Sequence, residues 1–206
     1  MAELLRIHPV TPQRRLIARA VEVLRDGGVI AYPTDTTYAL GAAIGAKQAL
    51  ERICRLRRID DRHDFTLLCR DLSESSSYAR FDTPVYRLLK AATPGPYTFL
   101  LRAAKEVPRR LQHPKKKTIG LRVPDHAIAL ALLEELGEPM FTTTLRMPDE
   151  EFPLNEADEI AVRLDREVDV IIDGGDCGLD PTSVIDLTGD EPVILRASRG
   201  DLSLFS

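Results

Sequence analysis

Cysteine is scarce in this chain of 206 residues, which contains only three. Cys54, Cys69 and Cys177 are odd in number and share no close spacing, so we expect reduced core thiols of a cytosolic protein, with a catalytic thiol as the minor alternative. Histidine is almost as scarce, and the four residues at positions 8, 63, 113 and 126 are not spaced as metal ligands. We therefore predict no tightly bound metal.

Long apolar runs are absent as well. No stretch reaches the roughly 18 apolar residues of a membrane span, and residues 1–6 lack the apolar core of a signal peptide. The net charge of −4 argues against a surface coated with cations, so a nucleic-acid site would have to be a local basic face. We predict a cytoplasmic protein with no membrane partner, in which the 44% hydrophobic content forms one core and one domain over residues 1–206.

Helix and strand patterns alternate along most of the chain. Thr11-Pro12 is a suitable helix start, with Thr11 as N-cap, and Gly27-Gly28 ends that helix. Further helices are predicted at 49–56, 85–92, 127–136 and 159–168, and strands at 29–31, 65–69, 98–101, 119–123, 140–144, 168–172, 183–187 and 193–196. Because the last strands have no helices between them, we predict an α/β fold whose single sheet is mixed and flanked by helices.

A run of hydroxyls and one carboxylate follows the first of these strands. Tyr32-Pro33-Thr34-Asp35-Thr36-Thr37-Tyr38 comes directly after the apolar residues 29–31. Open α/β sheets bind ligands at the ends of their strands, and this set of donors and acceptors suits a small polar metabolite. The alternative is a threonine-rich turn with no ligand.

Four further segments place charge or hydroxyls near strand ends. They are 57–67, with cations and an imidazole; Arg122 in an apolar strand; the glycine-rich loop 173–178, which leads to Thr182 and Ser183; and Arg196 with Arg199 after the last strand. Cations in these positions suit a carboxylate or phosphate, and the alternative in each case is a solvated loop, or, for Arg122, a charge that faces solvent. Neither a Walker loop nor a GxGxxG motif occurs.

Taken in order, these segments resemble the YrdC-like family, the threonylcarbamoyl-adenylate synthases and their YciO-type relatives. The matching segments are 32–41, 57–67, 93–98, 120–126, 139–144, 173–186 and 195–196, and residues 65–73 look closest to the YciO branch. The resemblance implies a YrdC-like twisted open sheet. It also implies an enzyme that makes threonylcarbamoyl-AMP from L-threonine, bicarbonate and ATP, with Mg²⁺ as part of the ATP co-substrate. A variant of this hypothesis is an enzyme that hydrolyses the same adenylate, because a pocket that aligns ATP poorly would admit water.

The resemblance also assigns roles to residues. Thr34, Thr36 and Tyr38 would line the threonine end of the site. The carboxylate, carbamate and phosphates would be bound by Arg57, His63, Arg122, Thr144, Ser183 and Arg196, of which Arg57 and Arg122 are the predicted catalytic residues. Thr66, Arg146 and Thr182 complete the predicted substrate-binding set. A strong general base is not obvious, so positioning and charge neutralisation would supply most of the rate.

Two motifs depart from the synthase pattern. The synthases carry Lys-x-Arg where this chain has Arg57-Arg58-Ile59, and Ser-x-Asn where it has Thr144-Leu145-Arg146. Ile59 cannot bind an anion. If positions 59 and 146 face the same cavity, Arg146 would restore the charge that is lost at position 59.

A basic stretch supports an alternative function. Members of the family are associated with double-stranded RNA, and this chain concentrates positive charge between two predicted strands, in Arg102, Lys105, Arg109, Arg110, Lys115, Lys116 and Lys117. The alternative to the enzyme is thus a protein that binds double-stranded RNA or tRNA without synthase activity. Because no aromatic residues are interleaved for base stacking, such binding would be non-specific and sensitive to salt, and a solvated cationic loop is the other possibility.

Overall fold

A computed structural model of the chain describes residues 1–60 and 63–205, and its strands form one 11-stranded mixed sheet. The strands are β1 (Glu3–Arg6), β2 (Ile30–Tyr32), β3 (Ala39–Ala43), β4 (Thr66–Leu68), β5 (Ala79–Arg80), β6 (Tyr97–Ala103), β7 (Thr118–Arg122), β8 (Met140–Thr144), β9 (Val170–Asp173), β10 (Ser183–Asp186) and β11 (Val193–Arg196). Their order across the sheet is β1-β9-β2-β3-β8-β4-β7-β6-β10-β11, and β5 pairs with β6.

Helices lie on both faces of the sheet. They are α1 (Arg14–Arg25), α2 (Lys47–Arg57), α3 (Leu72–Tyr78), α4 (Thr83–Ala92), α5 (Ala127–Leu136) and α6 (Ala157–Leu164), with short 3₁₀ turns at Arg109–Leu111 and Leu202–Phe205. Parallel pairs (β1 with β9, β2 with β9, β4 with β7, β6 with β10) occur beside antiparallel ones. The predicted fold class, a single α/β domain with a mixed sheet flanked by helices, is confirmed.

The core is divided by the sheet into two apolar clusters. On one face, α1 and α5 pack against β1, β9 and β2 and reach as far as Leu68 and Met140. On the other face, residues of α2, α4 and α6 pack against a larger set of strand residues that extends to Ile185 in β10. Successive residues of the central strands therefore belong to opposite clusters, as with Ile30 and Tyr32 in one and Ala31 in the other, because successive side chains point to opposite faces.

The predicted N-cap of the first helix is wrong by two residues. Gln13 is the N-cap of α1, and the Thr11 hydroxyl lies 3.0 Å from the His8 imidazole Nδ1, which also accepts the backbone N–H groups of Val10 and Thr11. Thr11 is thus part of a turn closed by His8, so the helix begins only after this turn.

None of the helices in the part of the chain that the structure describes is long and apolar enough to cross a membrane.

Strands β1, β3 and β5 and helix α3 have no counterpart among the predicted elements. β3 consists of alanine, leucine and glycine, residues that do not favour strands locally, but it is enclosed between β2 and β8, so its hydrogen bonds depend on tertiary pairing. As a result, the run 33–38 is the connection of an antiparallel β2–β3 pair.

The cap of α4 provides a test of this fold. The Asp82 carboxylate accepts a hydrogen bond of 3.0 Å from the N–H of Val85 at the start of the helix. Because Asp82→Ala removes this acceptor, we expect it to lower the free energy of unfolding by about 1 kcal/mol in urea titrations. Asp82→Asn keeps the acceptor and should leave stability nearly unchanged. Equal losses in both variants would contradict the capping role.

Candidate functional site

Beyond Leu68 and Met140, one face of the sheet changes from apolar to polar. In the register, Thr66 of β4 lies beside Gly120 of β7 and Thr142 of β8. Thr98 of β6 lies beside Val184 of β10, which in turn pairs with Arg196 of β11. Since residues in register share a face, threonines and an arginine occupy positions that leucines and isoleucines occupy elsewhere in the sheet.

A cavity of about 520 Å³ lies on this polar face. Its walls come from the end of α2, from β4, β6, β7, β8, β10 and β11, and from the loop that follows β8. Of the predicted catalytic and substrate-binding residues, the cavity brings together Arg57, His63, Thr66, Arg122, Thr144, Arg146, Thr182 and Arg196. Lining residues that were not singled out from the sequence include Asp64, Thr98, Thr142, Glu151, Phe152 and Asp180. The consecutive threonines 142–144 were the available sequence signal.

Four arginines, at positions 57, 122, 146 and 196, line the cavity together with the carboxylates of Asp64, Glu151 and Asp180. Burial and the nearby Arg146 lower the pKa of Arg57 to about 10, and burial together with Arg146 and Arg122 lowers the pKa of Arg196. Within residues 1–60 and 63–205, no ion pair joins Arg57, Arg146 or Arg196 to a carboxylate. The buried Nε of Arg57 also has no hydrogen-bond partner among these residues. Mutual repulsion of the guanidinium groups is relieved when an anion enters, so the cavity is suited to phosphates or carboxylates.

Arg122 differs from the other cavity arginines because the chain itself supplies its partner. Its side chain is 7% exposed and pairs with that of Asp35, which is 11% exposed, at 2.6 Å. The same Nη2 donates to the hydroxyls of Thr34 and Thr36 at 3.1 and 2.9 Å. One oxygen of Asp35 and the Nε of Arg122 are buried without a hydrogen-bond partner in the described part of the chain. The charge in the apolar strand thus meets a carboxylate that the sequence analysis includes among the groups suited to a small polar metabolite.

The hydroxyls of the 32–41 segment lie behind the cavity wall. The Thr34 Oγ1 donates to the Thr37 carbonyl at 2.6 Å and accepts the N–H groups of Thr36 and Thr37. The Tyr38 hydroxyl donates to the Gly175 carbonyl at 3.0 Å, and burial raises the pKa of this phenol. These groups shape the β2–β3 connection and join it to the glycine-rich loop. A role for Thr34, Thr36 and Tyr38 in binding threonine stays a prediction.

Other predicted residues also lie outside the cavity lining. The Ser183 hydroxyl is buried and donates to the Arg199 carbonyl at 2.7 Å, which fixes the chain after β11. Arg58 has a left-handed backbone conformation (φ 49°) and pairs at the surface with Asp149 at 2.8 Å. Asp61 and Arg62, which belong to the predicted segment 57–67, lie outside the described residues.

The idea that positions 59 and 146 share a cavity is wrong. Ile59 lines a separate cavity of about 770 Å³ beside α2, and it packs against the apolar core. Arg146 lines the polar cavity. The apolar side chain of Ile59 extends the core. Arg146 adds a positive charge next to Arg57 and Arg196, and this charge does not replace the one missing at position 59, because position 59 lines a different cavity.

The three cysteines are reduced, and the potential metal-ligand side chains are dispersed in the described ranges. All three cysteines are free, and burial raises the pKa of Cys69 to about 12 and that of Cys177 to about 11, so both are thiols at neutral pH. These raised values argue against the minor alternative of a catalytic thiol at either position. In the described ranges, no three side chains of His, Cys, Asp or Glu come together as a group that could hold a metal ion.

The residues of the basic stretch are exposed on the surface. Arg102 is in β6, and the others lie between β6 and the start of β7: Lys105, Arg109, Arg110, Lys115, Lys116 and Lys117. Arg110 donates to the Ile44 carbonyl at 2.7 Å. The backbone N–H groups of Lys115 and Lys116 donate to the Nδ1 of His113, which shapes the turn that carries the lysines.

Comparison with known proteins gives a consistent set of relatives. The family model Sua5_yciO_yrdC, described as "Telomere recombination", matches residues 22–198. The uncharacterized protein YciO of Escherichia coli (strain K12) is 56% identical over 205 residues, covering 100% of both chains, and the crystal structure of E. coli YciO superposes with a TM-score of 0.97. The threonylcarbamoyl-AMP synthase of Alkalilimnicola ehrlichii is 30% identical over 91% of this chain and 97% of its own length. The structure of P. abyssi Sua5 complexed with L-threonine has 27% sequence identity and a TM-score of 0.86, over 95% of this chain and 57% of that one.

The buried Arg122–Asp35 pair gives a testable energetic prediction. Asp35→Ala leaves a guanidinium buried without its carboxylate, so we expect the free energy of unfolding to fall by about 3–5 kcal/mol. The double variant Asp35→Ala/Arg122→Met should lose clearly less than the sum of the two single variants in urea titrations, since both charges are removed together. Asp149→Ala, which breaks the exposed pair with Arg58, should cost less than about 1 kcal/mol. Strict additivity would show that Asp35 and Arg122 are not coupled.

Proposed function

The chain belongs to the Sua5/YciO/YrdC family, and on this basis we propose that its polar cavity binds ATP and L-threonine and makes or hydrolyses a threonylcarbamoyl-adenylate. The observation that carries the proposal is the convergence of Arg57, Arg122, Arg146 and Arg196 on one cavity, three of them without a carboxylate partner in the described part of the chain. Guanidinium groups that are not engaged in ion pairs match a substrate that carries a triphosphate and a carboxylate.

The relatives support the same chemistry. The A. ehrlichii relative is a threonylcarbamoyl-AMP synthase, and the P. abyssi Sua5 structure holds L-threonine. In the proposed reaction, a carbamate formed on the threonine nitrogen attacks the α-phosphorus of ATP, and pyrophosphate leaves. Mg²⁺ enters with ATP as part of the substrate, and bicarbonate supplies the carbamate carbon. The protein's part is to hold the reacting groups together and to neutralise their negative charge.

The threonines of the cavity would complete the site. Thr98 and Thr182 share a hydrogen bond of 2.8 Å, and the Thr182 hydroxyl also accepts from Arg196 Nη2 at 3.1 Å. An arginine fixed by two hydrogen bonds to Thr182, through its side chain and its carbonyl, is pre-organised for an anion. Thr66 and Thr144 offer hydroxyl groups to the polar parts of the ligand from the neighbouring strands.

The direction of the reaction depends on how well ATP is aligned. Arg57 and Arg146 stand in the two motifs that depart from the synthase pattern, and both line the cavity. A site that binds the mixed anhydride but aligns the triphosphate poorly would admit water and release AMP. Hydrolysis of threonylcarbamoyl-AMP is therefore the variant of the proposal that these two motifs favour.

Pyrophosphate release tests the synthesis reaction. We expect release from Mg-ATP and bicarbonate to depend on L-threonine, and Arg57→Gln or Arg146→Gln to lower it at least tenfold because each removes a cation from the cavity. Arg58→Gln is the matched control, since this neighbouring arginine pairs with Asp149 at the surface and should have little effect. Release that does not need threonine, or equal losses in all three variants, would contradict the proposal. If pyrophosphate is absent but AMP is released from added threonylcarbamoyl-AMP, the hydrolysis variant holds.

The exposed basic stretch supports a second candidate function, binding of double-stranded RNA. All seven cations are exposed, and Lys115, Lys116 and Lys117 follow one another in a single turn. Arg102 lies opposite Thr118 and extends this charge along the sheet. A surface of this kind contacts phosphates and does not read bases.

Charge reversal tests the RNA-binding candidate. Lys115→Glu/Lys116→Glu should weaken binding of an RNA duplex at least tenfold in a fluorescence anisotropy titration, and ATP binding should not change. Arg14→Glu/Arg15→Glu is the matched control, because it reverses two exposed cations at the start of α1. For the unmodified protein, log affinity should fall linearly with log salt concentration. Affinity that is independent of salt would contradict a phosphate-contact surface.

A further inference from the structure

The chemistry proposed for the cavity requires a proton acceptor. L-threonine at neutral pH carries an ammonium group, whose nitrogen has no lone pair to form a bond to carbon. Arginine does not give up its proton in proteins and so cannot serve as the acceptor, and a carboxylate is in general a weaker base than an imidazole. Among the lining residues that the structure describes, His63 is the one whose side chain exchanges a proton near neutrality.

We propose that the His63 imidazole is the general base of the cavity and accepts a proton from the threonine ammonium. The inference rests on the proposed function and goes beyond it by assigning the proton transfer to one side chain. His63 lines the same cavity as Arg57 and Arg196, so its ring faces the space in which the substrate anions would be neutralised.

Packing limits the orientation of the ring. The imidazole makes an edge-to-face contact with the buried Phe65, with centroids 5.8 Å apart and an interplanar angle of 64°. Phe65 is itself held by an edge-to-face contact with Phe141 at 5.5 Å. The imidazole therefore packs against a rigid aromatic base, while its exposed position at the cavity rim leaves a path for the proton to reach water.

The charges around His63 favour the neutral ring. Partial burial and Arg57, from α2, lower its pKa, and Arg196, from β11, acts in the same direction. Asp60 and Asp64, on its own segment, oppose this effect without reversing it. A pKa lowered below that of a free imidazole favours the neutral ring, which is the form that can accept a proton.

The proton transfer can be written as a balanced step. One N–H bond of the threonine ammonium breaks, and the proton moves to an imidazole nitrogen, which leaves a neutral amine. The amine lone pair forms a bond to the carbon of bicarbonate, the C–OH bond breaks, and the departing hydroxide takes a second proton from nitrogen to give water. The products are the carbamate and an imidazolium, which then releases its proton to solvent. No oxidant or reductant is involved.

The experiment is the pH dependence of threonine-dependent pyrophosphate release. We expect His63→Gln to lower kcat about 100-fold or more, to remove the acid limb of the pH–rate profile, and to leave ATP affinity, measured by calorimetry, within about twofold. Added imidazole should restore part of the rate to His63→Ala. His113→Gln, which changes an imidazole outside the cavity, should keep the acid limb.

Each outcome decides the assignment. If the unmodified protein is active and His63→Gln keeps its rate and acid limb, His63 is not the acceptor. Loss of activity together with loss of ATP affinity and no rescue by imidazole would show a structural role and overturn the assignment as well. If the unmodified protein shows no threonine-dependent pyrophosphate release, the proposed synthesis reaction is wrong, and the acceptor role of His63 is wrong with it. If the unmodified protein is active, the rate and pH profile of His63→Gln test the role of His63 alone.

Discussion

The buried ion pair between Arg122 and Asp35 is the contact on which the site depends. It joins the end of β7 to the β2–β3 connection, and the Thr34 and Thr36 hydroxyls bond to the same guanidinium. Both charges are almost fully removed from water, so each requires the other. The pair thereby places a guanidinium at the wall of the cavity, while the Nε–H donor of that guanidinium has no partner among the described residues. The same side chain thus holds two segments of the chain together and lines the cavity that we propose as the binding site.

The position of the cavity depends on which part of the sheet face is covered by helices. Helices α1 and α5 cover one part of a face, and the strands there present leucine, isoleucine and methionine. On the neighbouring strands the same face presents threonines and arginines around the cavity. In the described part of the chain, Arg57, Arg146 and Arg196 have no ion-pair partner, and their mutual repulsion raises the energy of the empty cavity. An anion relieves this repulsion, so the cavity suits an anionic ligand, such as the one we propose, better than a neutral metabolite.

Much of the fold could be predicted because local patterns and tertiary structure agree. The apolar run 127–136 and the strand 140–144 have the same bounds in the structure as in the sequence patterns. Prediction failed where structure depends on distant partners. β3 has weak strand propensity and forms because β2 and β8 pair with it on both sides. Thr11 is a residue type that often caps helices, but here its hydroxyl contacts the His8 imidazole in the turn before the helix. Arg122 and Asp35 were visible as charges, but their pairing joins residues 87 positions apart and has no local signal.

The sequence by itself determined the family, the α/β class and the residue types available for anion binding, because order, periodicity and charge are properties of the chain. Only the tertiary structure decided which of these residues share a cavity. It brought Arg57, Arg146 and Arg196 together, placed Ile59 in the core beside another cavity, and put Thr34, Thr36 and Tyr38 behind the wall. The physical reason is that strand register and helix packing determine which face each side chain takes, and both are set by contacts between residues far apart in the chain.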